Sequence, residues 1–276
     1  MRQFPLLGTL ARALILALLL TPTLLALGGA GAPAEAQTAL DIMRKQRDLQ
    51  RVKDEQEVQQ MDVISKAGVA KQRRVARYTI TDRQDLSKIL LRFLAPRDVE
   101  NTGLLTWEAK GGDDDQWLYL PATKKVKRIA SSGKKNRFMG TDFAFEDLRP
   151  ENLEVHRYNL LGSEVVDGQD CWVIEAIPAS DRQAADSGYS KRKLWVRKDN
   201  HYTVKREYHD KKGKLEKIEQ SRGLVNVLGT VWRANQVEMQ DVQEKTRTLV
   251  KVESRALNKG LSDALFTETS LIAGGS

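Results

Sequence analysis

The sequence predicts a mainly β protein: an antiparallel meander whose sheet curls on itself, with one helix ahead of it. Two observations carry the β assignment. From about residue 69 onward, apolar and polar residues alternate with period two, and turn residues break the runs at short, regular intervals, as in a meander of hairpins. One amphipathic helix stands ahead of this series, and its apolar stripe is narrow. A long meander covered by one narrow stripe buries a core only if the sheet curls on itself.

The chain begins with a targeting signal. Arg2 and Arg12 are followed by the apolar run Ala13 to Leu27, broken by Thr21, Pro22 and Thr23, and then by Ala34-Glu35-Ala36. A positive start, a short apolar segment and an A-x-A end predict cleavage before Gln37. Residues 1–36 are thus read as a cleaved signal peptide, and residues 37–276, enough for one large β domain or two small ones, as working outside the cytoplasm. A membrane anchor needs about 20 uninterrupted apolar residues, and Pro22 interrupts this run. No cysteine follows the run, so no lipid is expected there.

Thr38-Ala39-Leu40-Asp41 has the form of a capping box. The helix it opens is expected over Ala39 to Glu55, with Ala39, Ile42, Met43 and Leu49 on one face, as a movable lid. Strands are expected at Val69 to Ile80, Lys88 to Leu94, Leu104 to Trp107 and Trp117 to Leu120, and a hairpin at Val165 to Ile177. A mobile loop is expected from Ala179 to Gly188. The hairpin series then runs Lys193 to Arg197, Tyr202 to Tyr208, Lys214 to Asn226, Val231 to Gln240 and Thr246 to Glu253.

Composition and spacing exclude much chemistry. The net charge is +8, with 45 basic and 37 acidic residues interspersed, which suits a solvated surface and no nucleic-acid groove. Cys171 is the only cysteine, so there is no internal disulfide, and it reads as a packed core thiol. His156, His201 and His209 form no ligand set, so no metal or other cofactor is expected. No nucleophile elbow, phosphate loop or dinucleotide fingerprint occurs. Asp113-Asp114-Asp115 reads as a polar hairpin tip. No catalytic residue is assigned, and the protein is read as a monomeric non-enzyme.

The stretch from residue 107 to 148 is different. Trp117 and Tyr119 are two apart and share one sheet face, while Leu118 and Leu120 share the other, so both faces are apolar. Phe138, Phe143 and Phe145 follow among polar residues. These rings either cover a barrel end or line a pocket. Trp107, Trp117, Tyr119, Phe138, Phe143 and Phe145 are the candidate ligand-binding residues.

Here the chain resembles the LolA-like outer-membrane lipoprotein-sorting proteins, in the branch often found beside RND-type exporters. The resemblance rests on Trp117-x-Tyr119-x-Pro121, Val126-Lys127-Arg128-Ile129 and Gly140-Thr141-Asp142-Phe143-x-Phe145-Glu146-Asp147-Leu148. Cys171-Trp172-Val173-Ile174 and Leu194-Trp195-Val196 extend it along the chain. It implies a single periplasmic domain over 37–276 with the LolA/LolB-like fold, a strongly curved, unclosed antiparallel β-barrel with helices covering its mouth, and an apolar hollow for the acyl chains of a lipid or lipoprotein. The implied partners are an inner-membrane RND-type exporter and an outer-membrane acceptor. Burying a C16 chain would contribute up to roughly 12 kcal/mol at ~0.8 kcal/mol per CH₂, before ordering costs. Three other readings compete: an exporter adaptor that binds no lipid, a periplasmic hydrolase and a transmembrane β-barrel. The last is disfavoured by Lys205, Glu207, Lys217, Glu219, Lys251 and Glu253, which are expected to face outward on the C-terminal strands.

Overall fold

The computed structural model describes residues 37–274. The expected signal, residues 1–36, lies outside them. Thirteen strands form one sheet: β1 Asp54–Ile64, β2 Ala70–Thr81, β3 Ser87–Ala95, β4 Gly103–Trp107, β5 Asp115–Leu120, β6 Lys125–Arg128, β7 His156–Val166, β8 Gln169–Pro178, β9 Lys191–Arg197, β10 Thr203–His209, β11 Leu215–Leu228, β12 Val231–Asp241 and β13 Thr246–Leu257. Among the described residues three α-helices accompany them: α1 Ala39–Leu49, α2 Asp181–Asp186 and α3 Glu268–Ala273. The sheet order is β6-β5-β4-β3-β2-β1-β13-β12-β11-β10-β9-β8-β7. Two meanders are thus joined where the first strand pairs antiparallel with the last, Met61 opposite Val250. β6 and β7 are free edges, so the sheet is not closed.

Local chemistry sets the turns. Between β7 and β8 the two-residue link is Asp167-Gly168, both at positive φ (48° and 76°). That geometry matches strand twist in a tight hairpin and favours this residue pair. The capping box of α1 forms as expected: Thr38 Oγ1 accepts from the Asp41 N–H at 3.2 Å, and Asp41 accepts from the Thr38 N–H.

The sheet curls, and the proof is a single covering segment. Residues 134–151 lie on the face formed by Leu118, Leu104, Leu91, Val75, Met61 and Val250. Gln116 of β5 donates to the carbonyl of Phe145 at 3.1 Å, and Lys217 of β11 reaches Asp147 at 3.4 Å. β5 and β11 are seven steps apart in the strand order, about 34 Å in a flat sheet at ~4.8 Å per strand. Phe145 and Asp147 are two residues apart, at most ~7 Å of chain. Only a strongly curved sheet brings both strands to them, and the covered face is the concave one.

Helix α1 closes the other end of that face. Ala39, Ile42 and Met43 are buried against Ile174, Leu194 and Val196 of β8 and β9. Gln46 accepts from Thr203 Oγ1 at 2.7 Å, and Gln50 Nε2 donates to the Asn200 carbonyl at 2.7 Å. The helix stops at Leu49, short of the expected Glu55, because from Asp54 the chain is already paired in β1. The stretch expected as a mobile loop after Ala179 contains α2, capped by Ser180.

The convex face is covered in part by the C-terminal segment, which the sequence pattern did not reveal. Phe266 and Leu271 pack over Leu90, Leu105 and Tyr119. Trp107 Nε1 donates to the Phe266 carbonyl at 2.9 Å, and the Arg92 guanidinium donates to the carbonyls of Ser270 and Leu271 at 2.9 and 3.3 Å.

Candidate ligand-binding site

The strand pattern divides the six expected ligand residues into two groups. Phe138, Phe143 and Phe145 meet on the concave face, each at most 7% exposed. Phe138 stacks on Phe93 with ring centroids 5.7 Å apart and meets Phe145 edge-on at 5.5 Å. Trp107, Trp117 and Tyr119 lie on the convex face beneath the C-terminal segment, Trp107 and Trp117 edge-to-face at 5.0 Å. The alternation places Leu118, not its aromatic neighbours, toward the phenylalanines. The six residues therefore do not share one face: one strand carries two apolar faces because each is covered by a different part of the chain.

The phenylalanine segment is pinned by polar contacts on both flanks. Asp142 is buried, and its carboxylate accepts from the hydroxyls of Thr246 and Thr248 on β13. Arg137 bridges Asp142 and Asp241. Arg73 donates to the Met139 carbonyl at 2.7 Å. Downstream, Asp147 accepts from the Tyr189 hydroxyl at 2.8 Å, and Lys217 lies between them. Apolar rings thus fill the concave face while hydrogen bonds to β2, β11, β12 and β13 hold them there.

Beyond the rings the concave face becomes polar. Lys217 and Glu219, expected to face outward, are 3% and 7% exposed and point inward. Glu219 accepts from the Tyr208 hydroxyl at 2.9 Å and pairs with Arg206. Arg192 holds Glu151 bidentately at 2.8 and 2.9 Å, and Tyr158 donates to the same carboxylate at 2.6 Å. Burial would raise the Glu151 carboxyl, but the Arg192 guanidinium outweighs it and holds the group down at about 2. His156 lies 3.0 Å from Arg192, and burial together with that guanidinium pushes it down to about 4, so the ring is neutral. Burial pushes Glu146 and Asp114 up from the usual carboxylate range. Around these groups are two adjoining cavities of about 100 and 180 Å³, which share Glu146, Arg149, Val155, His156 and Ser187 in their walls. Tyr189 and Tyr208 line the smaller cavity and also belong to the apolar cluster, their rings 4.9 Å apart.

Sequence reading missed this polar half. An inward Lys217 or Glu219 alternates along its strand as an outward one does, and only partners from distant strands reveal its direction. Asp113, Asp114 and Asp115 are not a free acidic tip: Lys134 and Arg149 face the first two and Arg128 the third. Cys171 is buried, as a packed thiol should be. His201 lies against Trp172 at 5.0 Å, and His209 is partly buried. Among the described residues no group of three His, Cys, Asp or Glu is placed to hold a metal ion.

A family model described as "Uncharacterized protein" matches residues 85–273. A domain from Vibrio parahaemolyticus assigned to the outer membrane lipoprotein-sorting proteins is 33% identical. The match covers 85% of this chain and 98% of that one, with a TM-score of 0.80. A DUF1329 family protein from Desulfovibrio piger is 29% identical over 84% of this chain and 97% of its own, with a TM-score of 0.79. A LolA superfamily protein from Nitrosomonas europaea, 19% identical over 85% and 100% of the two chains, shares the fold at a TM-score of 0.67. No curated protein matches.

Proposed function

Since the chain belongs to the LolA-like outer-membrane lipoprotein-sorting family, we propose that it is a periplasmic carrier. It binds the acyl chains of a lipid or lipoprotein on the concave face and moves them towards the outer membrane without catalysis. The observation that carries this reading is the concave face itself. Its apolar half is covered not by a further layer of sheet but by one segment bearing Phe138, Phe143 and Phe145. In this reading the three rings stand where acyl chains go, and cargo displaces or repacks them. An apolar face of this kind recovers on binding what it loses on opening, since chain burial contributes ~0.8 kcal/mol per CH₂.

The same reading makes the donor and acceptor an inner-membrane exporter of RND type and an outer-membrane receptor. Its test is the lipid content of protein purified from the periplasm. Organic extraction and mass spectrometry are expected to recover acyl lipid near one-to-one. Protein that is empty, and stays empty when offered fluorescent fatty acid, would point instead to an exporter adaptor. Turnover of an ester or glycan would point to a hydrolase.

A further inference from the structure

Resting on that carrier reading, we infer that the polar cavity beside the phenylalanine segment is a head-group site, built for a zwitterionic phosphate–amine head whose acyl chains run into the apolar half. The boundary is the first argument. Tyr189 and Tyr208 face the cavity while packing with the phenylalanine cluster, so one continuous surface turns from apolar to charged across two rings. An amphiphile fits such a surface with its head on one side and its chains on the other.

The second argument is the state of the charges. The smaller cavity is walled by five carboxylates and three guanidinium groups. Most pair with each other or with Lys217: Arg192 with Glu151, Arg206 with Glu219, Lys217 with Asp147. Glu146 has no ion-pair partner among the described residues. It accepts only from Ser187 Oγ at 2.8 Å and the Gly188 N–H at 2.7 Å. The Asp114 side chain is 1% exposed, and its Oδ2 accepts no hydrogen bond: its ion-pair partner Arg149 stays 3.6 Å away. Arg149 reaches Asp113 at 3.3 Å through one terminal nitrogen, while its buried Nε has no acceptor. Buried groups of either sign are expected to be satisfied, and those left over call for a ligand of both signs. A phosphate takes the free donors of Arg149 and Arg206, and an ammonium takes Glu146 and Asp114. A purely anionic head would face the surplus carboxylates unpaired. At ~30 Å³ per water the two cavities hold a group of several heavy atoms.

The test uses the exported protein and vesicles of equal parts dipalmitoyl phosphatidylethanolamine, phosphatidylglycerol and diacylglycerol. Protein re-isolated by gel filtration is analysed for bound lipid by mass spectrometry. The ethanolamine lipid is expected to exceed the glycerol lipid at least five-fold. Glu146→Gln is expected to bring that ratio near one with total phospholipid unchanged. Arg149→Gln is expected to lower both phospholipids relative to diacylglycerol, and Arg149→Lys, which keeps the charge, serves if the first variant fails to fold. Equal capture of all three lipids by the native protein would overturn the head-group site and leave the carrier standing. No capture of any lipid would overturn the carrier, and soluble phosphoethanolamine, followed by phosphorus NMR, then tests the cavity alone. A perturbed signal that Glu146→Gln abolishes supports the site, and an unperturbed one overturns it.

Discussion

His156 folds uncharged, because its ring nitrogen is 3.0 Å from the Arg192 guanidinium in a buried site. Its folded value of about 4 lies below the ordinary 6.5. The unfolded chain therefore takes up a proton that the folded one refuses. Stability from this group is complete above pH 6.5 and is lost as pH falls towards 4, by about 3 kcal/mol at most. His156→Gln is expected to flatten that part of the stability–pH curve, measured by urea unfolding at pH 7, 5.5 and 4. Glu146, raised by burial, works in the opposite direction, and its cost is relieved as pH falls. At the same scale, Trp117→Ala is expected to lower stability by about 3 kcal/mol with fatty-acid affinity per folded molecule unchanged, because the ring lies under the C-terminal segment. Phe143→Ala is expected to lower apo stability similarly and to tighten fatty-acid binding several-fold, as less has to be displaced. Fluorescence titration beside thermal unfolding checks both. Residue type and spacing revealed that this region is apolar on two faces. They did not reveal which cover each face receives, because one cover arrives from residues 134–151 and the other from the C-terminal segment that carries Phe266 and Leu271.

Among the elements, the latch on β13 is the point of control. Thr248→Val removes a hydroxyl that donates to Asp142 Oδ2 at 2.7 Å and leaves a buried carboxylate short of a partner, at a cost of about 1–3 kcal/mol. Hydrogen exchange is expected to quicken over residues 138–147 and to leave β9 unchanged, with faster uptake of fatty acid. In the native protein α1 and the segment 134–151 are expected to exchange before β9 and β13, since side-chain contacts hold both covers while ladders hold the strands. The strands of the C-terminal meander were legible because hairpin turns and alternation coincide there. β1 was not. Its inward positions include Glu55 and Glu57, buried and satisfied by Arg233 and Arg255, so the strand lacks the apolar alternation that marks the others. Most of β7 was missed for a related reason: as an edge strand it is exposed along much of its length and lacks an apolar alternation.

For the whole molecule, the pairing of β1 with β13 ties the two ends of the described chain into the middle of the sheet. The expected start of the exported protein, Gln37, is one residue before the Thr38 cap of α1, and intact mass of the periplasmic form checks that cleavage. The two edges differ. β6 is four residues long and reads Lys-Val-Lys-Arg, a short charged edge that discourages pairing. β7 is eleven residues long and carries exposed Leu160, Leu161 and Val165, interrupted by an irregularity between Leu160 and Gly162.

No ladder joins these edges. In a closed barrel the bore is fixed by strand number and stagger, whatever lies inside. Here nothing of that kind fixes the circumference, and the radius is whatever the contents hold it to. The sheet is a split ring around its filling, and on the carrier reading a bulkier cargo would widen it without breaking a single strand pair.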